Sequence, residues 1–163
     1  MVARSKIVKE ILLILLAALF TFYSTFYIAA ALLHGILRLD DFDGTIPFHY
    51  QSYDKIFTNS TRWNDPVFLG DFISLELTYL AVPFALITFL RHNLWDYAVT
   101  VTFIHCLVVC AVNLAFPFVW EWWVCILIGL LAMVGIGEIS NGLIRKKVTG
   151  SFKQQGKCDG KVT

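Results

Sequence analysis

Four apolar stretches, each about as long as one membrane crossing, constrain this chain more than any other feature. They cover residues 11–35, 67–90, 97–116 and 122–143. A helix needs about 20 mostly apolar residues to cross the hydrocarbon core of a bilayer. Within lipid, a helix satisfies its own backbone hydrogen bonds. The sequence therefore predicts an all-α integral membrane protein, a four-helix bundle whose single transmembrane domain covers residues 11–143.

The composition favours insertion into a lipid bilayer over a water-soluble fold. Of the 163 residues, 58 % are apolar and 15 % are charged, and the mean hydropathy is +0.69. A soluble domain of this size exposes too much surface to hide so much apolar area. A net charge of +1, without a basic patch that contains aromatic residues, argues against nucleic acid as a partner.

The basic start of the chain, followed by an apolar run, has the general form of a secretory signal peptide. Arg4, Lys6 and Lys9 precede the run. The run exceeds the apolar core of a signal peptide, which is about 7–15 residues long, and no small-residue cleavage site follows a short core. We therefore expect residues 1–10 to form an N-terminus on the cytoplasmic side and residues 11–35 to form a retained transmembrane helix.

The positions of lysine and arginine predict the orientation in the membrane. Ten of the 13 lysines and arginines lie in the two termini and at Arg91, and three lie in the loop of residues 36–66. Since basic residues are retained on the cytoplasmic side, both termini are expected there and the loop outside. The basic cytoplasmic tail, residues 144–163, is expected to lack regular structure. A plasma membrane or an endomembrane would fit this pattern equally.

The triplet Asn59-Ser60-Thr61 is an acceptor sequence for N-glycosylation. Such triplets arise often by chance, but this one lies in the longest polar loop. We therefore predict that Asn59 carries a glycan, which agrees with a loop outside the cytoplasm.

The third apolar stretch carries a polar stripe. Thr102, His105, Cys106, Val109 and Asn113 follow one another at spacings of three or four residues and fall on one face of a helix. Polar groups within a membrane turn away from lipid. The stripe is therefore expected to face the other helices.

The second stretch contains Glu76, about 14 Å along the helix at 1.5 Å per residue. A charge at such a depth costs at least about 2.5 kcal/mol unless it is paired or neutralised. Matching depths predict an intramembrane polar cluster of Tyr27, Glu76, His105 and Asn113. Two roles for Glu76 stay open, namely contact with an ion, proton or ligand, and a carboxyl group that only fixes helix packing. Asp71 is nearer the outer surface and is expected to be solvated there.

The four cysteines do not indicate disulfide, metal or redox chemistry. Cys106, Cys110 and Cys125 fall in apolar stretches and Cys158 in the tail, so a disulfide framework is not expected. Cys106 and Cys110 with His105 lack a fourth ligand, and we predict neither a metal nor another cofactor. A partnered nucleophile is also missing from the pattern, so the sequence does not predict an enzyme.

Several short motifs lie between residues 70 and 140. They are Glu76-Leu77-Thr78-Tyr79, Trp95-Asp96-Tyr97-Ala98 with Thr102 and His105 after it, Phe116-Pro117, and Trp122-Trp123. In these motifs the chain resembles the transmembrane protein 244 family. The resemblance implies a fold with several membrane spans, and it brings no catalytic or ligand-binding residues to these positions.

The small size and the lack of a catalytic constellation favour a small multi-pass membrane protein without enzymatic activity. We predict an accessory or scaffolding subunit of a membrane complex, whose partners are the lipid bilayer and either another membrane protein or further copies of itself. The alternative is an oligomeric channel or transporter subunit with a polar path along Glu76, His105 and Asn113. A membrane enzyme fits the sequence least.

Overall fold

The computed structural model describes residues 2–39, 42–89 and 94–159, and among them all side chains except those of residues 2–4, 88–89, 141 and 144–159. The four α-helices are α1 (Val2–Leu37), α2 (Pro66–Phe89), α3 (Leu94–Asn113) and α4 (Trp120–Asp159). Each contains a segment that is long and apolar enough to cross a membrane. The predicted all-α fold with four membrane-spanning helices is confirmed.

The first helix is longer than predicted at both ends. It begins at Val2, so the basic residues near the N-terminus extend the helix instead of preceding it. At its other end, Arg38 adopts a left-handed conformation with φ 52°. The Leu39 N–H then donates to the His34 carbonyl at 3.0 Å, which is the pattern of a Schellman cap. Glycine is the usual residue at that position, and its absence here hid the boundary.

The turn between α3 and α4 begins earlier than predicted. Helix α3 ends at Asn113 instead of residue 116, and Leu114 has φ 49°. Pro117 explains this end, because a proline disfavours helical geometry in the residue before it and has no N–H to donate. The turn is aromatic, with Phe116 stacked on Trp123 at a ring-centroid distance of 5.8 Å.

The last helix does not end where the apolar stretch ends. Helix α4 continues to Asp159, so most of the tail of residues 144–163 is helical, contrary to expectation. No proline follows residue 117 to interrupt it. Arg91 and the side chains of the basic tail, on which the predicted orientation partly rests, lie outside the described residues.

The helices form a ring in the order α1, α2, α4, α3. Helix α1 packs against α2 and α3, and α4 packs against the same two helices from the other side. Helix α2 is the most enclosed: 50 % of its membrane-length segment is buried, against 17 % for α1. The outer faces of the other helices are left for lipid or for other membrane proteins.

A glycine permits the close contact between α2 and α4. The ring of Tyr79 lies directly over Gly129, where an added Cβ would be 2.5 Å from Cδ2 and 2.8 Å from Cγ of that ring. Tyr79 is completely buried and also packs edge-on against Phe22 of α1, with ring centroids 5.4 Å apart. Gly135, one and a half turns further along α4, has nothing within 4 Å of such a Cβ.

The long loop between α1 and α2 folds into a packed cap over one end of the bundle. Its short 3₁₀ helices are Ile46–Phe48, Gln51–Tyr53 and Ser60–Asn64. Tyr53 of this loop is buried, and its ring packs edge-on against the ring of Phe68 of α2, with centroids 5.7 Å apart. Burial raises the pKa of the Tyr53 hydroxyl well above its usual value, so this group stays protonated.

Three hydrogen bonds attach this cap to three different helices. Tyr27 of α1 donates its hydroxyl to the Gly44 carbonyl at 2.7 Å. Asn113 of α3 donates its amide to the Phe48 carbonyl at 2.9 Å. The Lys55 N–H donates to the buried Glu121 carboxylate of α4 at 3.2 Å. The cap is therefore part of the folded bundle.

Candidate functional site

The polar stripe of α3 faces the inside of the bundle. Thr102, His105 and Val109 are buried, while Cys106 and Asn113 are half-buried. The opposite face of the helix carries exposed apolar side chains. Helix α3 thus presents its apolar face to lipid and the stripe to the neighbouring helices, as the spacing predicted.

His105 is the centre of this stripe, and it is completely buried between α1 and α3. A 3.3 Å hydrogen bond joins its Nδ1 to the hydroxyl of Tyr23. The imidazole ring lies 5.3 Å from the ring of Phe22 and 6.4 Å from the ring of Phe48, which reaches in from the cap. His105 therefore connects two helices and the cap through one side chain.

Three buried polar atoms near His105 have no hydrogen-bond partner among the described residues. They are His105 Nε2, Tyr79 Oη and Thr102 Oγ1. The hydroxyls of Tyr79 and Thr102 lie near each other across α2 and α3, yet they do not meet in hydrogen-bonding geometry. Buried unpaired polar groups are rare in proteins and call for an explanation such as a bound water.

The structure does not bring Tyr27, Glu76 and Asn113 together as a hydrogen-bonded cluster. Tyr27 donates to Gly44 of the cap. The amide of Asn113 donates to the carbonyls of Phe48 and Val109. Tyr27 and Asn113 therefore bind backbone of the cap or of their own helix instead of each other.

Glu76 and His105 lie on different helices, α2 and α3. Glu76 is half-buried. His105 packs between α1 and α3, and Asn113 is bound to the cap. Among the described residues, the hydrogen bonds of His105 and Asn113 do not join any two of the three residues proposed for a polar path.

The acceptor asparagine of the predicted glycosylation site is exposed at the start of the last 3₁₀ helix of the cap. Its side-chain oxygen accepts hydrogen bonds from the Thr61 N–H at 3.1 Å and from the Thr61 hydroxyl at 2.7 Å. Asn59 and Thr61 thus already contact each other, and both are open to solvent.

Sequence reasoning missed a second polar region, beneath the cap at the ends of α1 and α2. Asp71, which was expected to be solvated, is only 2 % exposed, and His34 is only 6 % exposed. The cap covers both residues. Their sequence neighbours are apolar, which was the one available signal that these two side chains lie at a covered interface.

The thiols and acidic groups do not form a metal centre in the part of the chain that the structure describes. Cys106, Cys110 and Cys125 are free thiols. No group of three or more histidine, cysteine, aspartate or glutamate side chains among the described residues is arranged to hold a metal ion.

Comparison with known proteins identifies relatives of the whole bundle. Residues 2–142 match the model of the SYS1 family, described as integral membrane protein S linking to the trans Golgi network. The chain is also 25 % identical to human transmembrane protein 244 over 122 residues, which cover 75 % of this chain and 88 % of the relative. The resemblance indicated by the short motifs is thereby confirmed. No solved structure matches the chain significantly.

Proposed function

The chain belongs to the SYS1 family of integral membrane proteins, and from this membership we propose that it acts in Golgi membranes as a non-enzymatic accessory or scaffolding subunit. The observation that carries the proposal is the extent of the match. Residues 2–142 contain all four membrane-spanning segments and the cap. The family description links these proteins to the trans Golgi network, which is the membrane we propose for this chain.

In this proposal both termini face the cytoplasm and the cap faces the Golgi lumen. The excess of lysine and arginine in the termini supports this orientation. The exposed acceptor triplet at Asn59 supports it independently, since glycans are added on the lumenal side.

The orientation leads to a prediction about Asn59. We expect the full-length protein to carry one glycan whose removal by a glycosidase lowers the apparent mass, and Asn59→Gln to abolish that shift. Asn64→Gln, a change at an equally exposed asparagine outside the triplet, is the matched control and leaves the shift unchanged. Protease added outside sealed Golgi vesicles should cleave the tail and spare the cap. Cleavage of the cap with protection of the tail would reverse the proposed orientation.

A binding partner within the membrane is supported by the outer surface of α4. Gly135 and Gly142 are seven residues apart, on one face of the helix, and have open space in front of them. Small residues in such an arrangement let a neighbouring helix approach closely. The bundle itself does not use this space.

Purification of the tagged full chain from native membranes tests the proposal. We expect it to colocalise with a trans-Golgi marker and to bring down foreign subunits in stoichiometric amounts. Gly135→Leu should reduce their recovery by filling the open space, without unfolding the bundle. Ala31→Leu, a similar enlargement at an exposed position of α1, is the control and should not reduce recovery.

Two results would contradict the proposal. The first is a steady-state location outside the Golgi. The second is purification as a homo-oligomer that conducts ions after reconstitution, which would favour the alternative of a channel or transporter subunit. For that alternative, Glu76→Gln should alter the ion flux while leaving the fold intact.

A further inference from the structure

A cavity of about 430 Å³ lies beneath the cap, where α1 ends and α2 begins. Four polar side chains line it, namely His34, Asp43, His49 and Asp71. The function proposed above uses none of them. Their arrangement differs from that of an ordinary solvated surface, because two of the four are almost completely buried.

The buried pair lacks hydrogen-bond partners. Both carboxylate oxygens of Asp71 and both ring nitrogens of His34 are unpartnered among the described residues. The closest charged partner of Asp71 is His49, whose Nδ1 is 4.0 Å from Oδ2 and beyond hydrogen-bonding distance. Burying a carboxylate without a donor is unfavourable, so these atoms are suited to a ligand that supplies donors.

The described lining of the cavity contains two aspartates, Asp43 and Asp71, and His49 lies 4.0 Å from the carboxylate of each. Asp43 accepts hydrogen bonds from the Thr45 N–H at 3.0 Å and from the Thr45 hydroxyl at 2.6 Å. These bonds lower the pKa of Asp43, so it stays ionised at neutral pH. Among the described residues that line the cavity there is neither lysine nor arginine. A cation is therefore the complementary ligand.

The rest of the lining distinguishes an organic cation from a metal ion. Leu39, Ile46 and Val67 complete the wall, and these side chains cannot bind a metal but can contact methylene groups. In addition, the described residues contain no group of side chains arranged to hold a metal ion. In an ammonium ion with a short alkyl chain, the charged group complements the polar side chains of the wall and the alkyl chain complements the apolar ones.

We propose that this cavity binds a primary ammonium group. Its N–H groups donate to the Asp71 carboxylate and to an imidazole nitrogen of His34, and the attached methylenes contact Leu39, Ile46 and Val67. Either a soluble amine or the headgroup of an aminophospholipid carries this chemistry. This site does not depend on the proposed scaffolding role, because binding of an ammonium compound to the cavity can be measured on the isolated full-length chain.

Binding can be measured with n-butylammonium as the probe and the full chain in phosphatidylcholine nanodiscs. We expect the probe to raise the unfolding temperature in a saturable manner, and n-butanol, which has the same alkyl chain without the charge, to have no saturable effect. Nanodiscs of phosphatidylethanolamine distinguish the sources. If they raise the unfolding temperature without added amine and reduce the response to the probe, the ligand is a lipid headgroup. Otherwise it is a soluble amine.

Two variants test the assignment. Asp71→Asn should weaken binding of n-butylammonium by about tenfold or more, because a charge-assisted hydrogen bond is lost. Asp54→Asn removes the same charge from an exposed position of the cap and should leave binding unchanged. Val67→Trp fills the cavity from a partly exposed position and should abolish binding even if Asp71→Asn does not fold.

Several outcomes would overturn the assignment. They are equal stabilisation by n-butanol, binding that survives both Asp71→Asn and Val67→Trp, and the absence of any saturable shift with n-butylammonium. Stabilisation by Zn²⁺ but not by n-butylammonium would replace the ammonium site with a metal site.

Discussion

Replacing Gly129 with alanine is expected to lower the free energy of unfolding of the bundle by about 1–3 kcal/mol, the usual range for overpacking a tight interior. The new Cβ would lie 2.5 Å and 2.8 Å from two atoms of the Tyr79 ring. One of these is Cγ, the ring atom closest to the backbone, so rotation of the ring cannot relieve the clash. The ring of Phe22 packs edge-on against Tyr79, with ring centroids 5.4 Å apart, and restricts movement of the whole side chain.

The sign of this effect is informative because alanine is otherwise the better helix former, by about 0.8–1.0 kcal/mol relative to glycine. Gly135→Ala is the matched control on the same helix, since an added Cβ there meets nothing within 4 Å. We expect that variant to be neutral or slightly stabilising. Reversible unfolding in mixed micelles measures the free energy of unfolding of both variants. Equal stability of the two variants would mean that Tyr79 and Gly129 do not pack as described.

The contact between Tyr79 and Gly129 also shows what the sequence could predict. The apolar stretches located all four helices, and small residues on a membrane helix permit close packing in general. The sequence did not show which glycine is covered, because length and hydropathy place a residue along a helix axis but do not say which helix faces it. In the folded chain, Gly129 is covered and Gly135 is open.

The same limit applies to the predicted cluster around Glu76. Equal depth in the membrane does not by itself make a hydrogen bond with Asn113, because the two side chains must also point toward each other. Asn113 instead donates to Phe48 of the cap. We expected a polar outer loop and did not foresee a packed cap, because its structure depends on contacts between distant residues. The bond from Lys55 to Glu121 joins positions 66 residues apart.

The burial of Asp71 follows from the same cap. Near a helix start, an aspartate is ordinarily solvated, and the apolar sequence neighbours of Asp71 do not say which segment would cover it. The cap brings His49 to within 4.0 Å of the carboxylate and covers it. A residue whose surroundings come from a distant segment of the chain cannot be assigned by periodicity. This is why the cavity became visible only in the folded structure.

Replacing His105 with alanine is expected to lower the free energy of unfolding by about 2–4 kcal/mol, as for other large side chains removed from a packed interior. The ring is completely buried, and its removal would leave a cavity beside Phe22 and Phe48. It would also leave the hydroxyl of Tyr23 without its partner. Leu107→Ala is the control on the lipid-facing side of α3, where lipid can fill the space, and it should cost much less.

A double-mutant cycle separates the hydrogen bond of His105 from its packing. Tyr23→Phe alone should cost about 1 kcal/mol, the usual net contribution of one hydrogen bond. In the His105→Ala background, Tyr23→Phe should cost nothing or be slightly favourable, because the hydroxyl there has already lost its partner. His105→Phe should lower the free energy of unfolding much less than His105→Ala does, since a ring of similar size fills the space. If Tyr23→Phe has the same effect in both backgrounds, the 3.3 Å contact contributes no stability and His105 acts through packing alone.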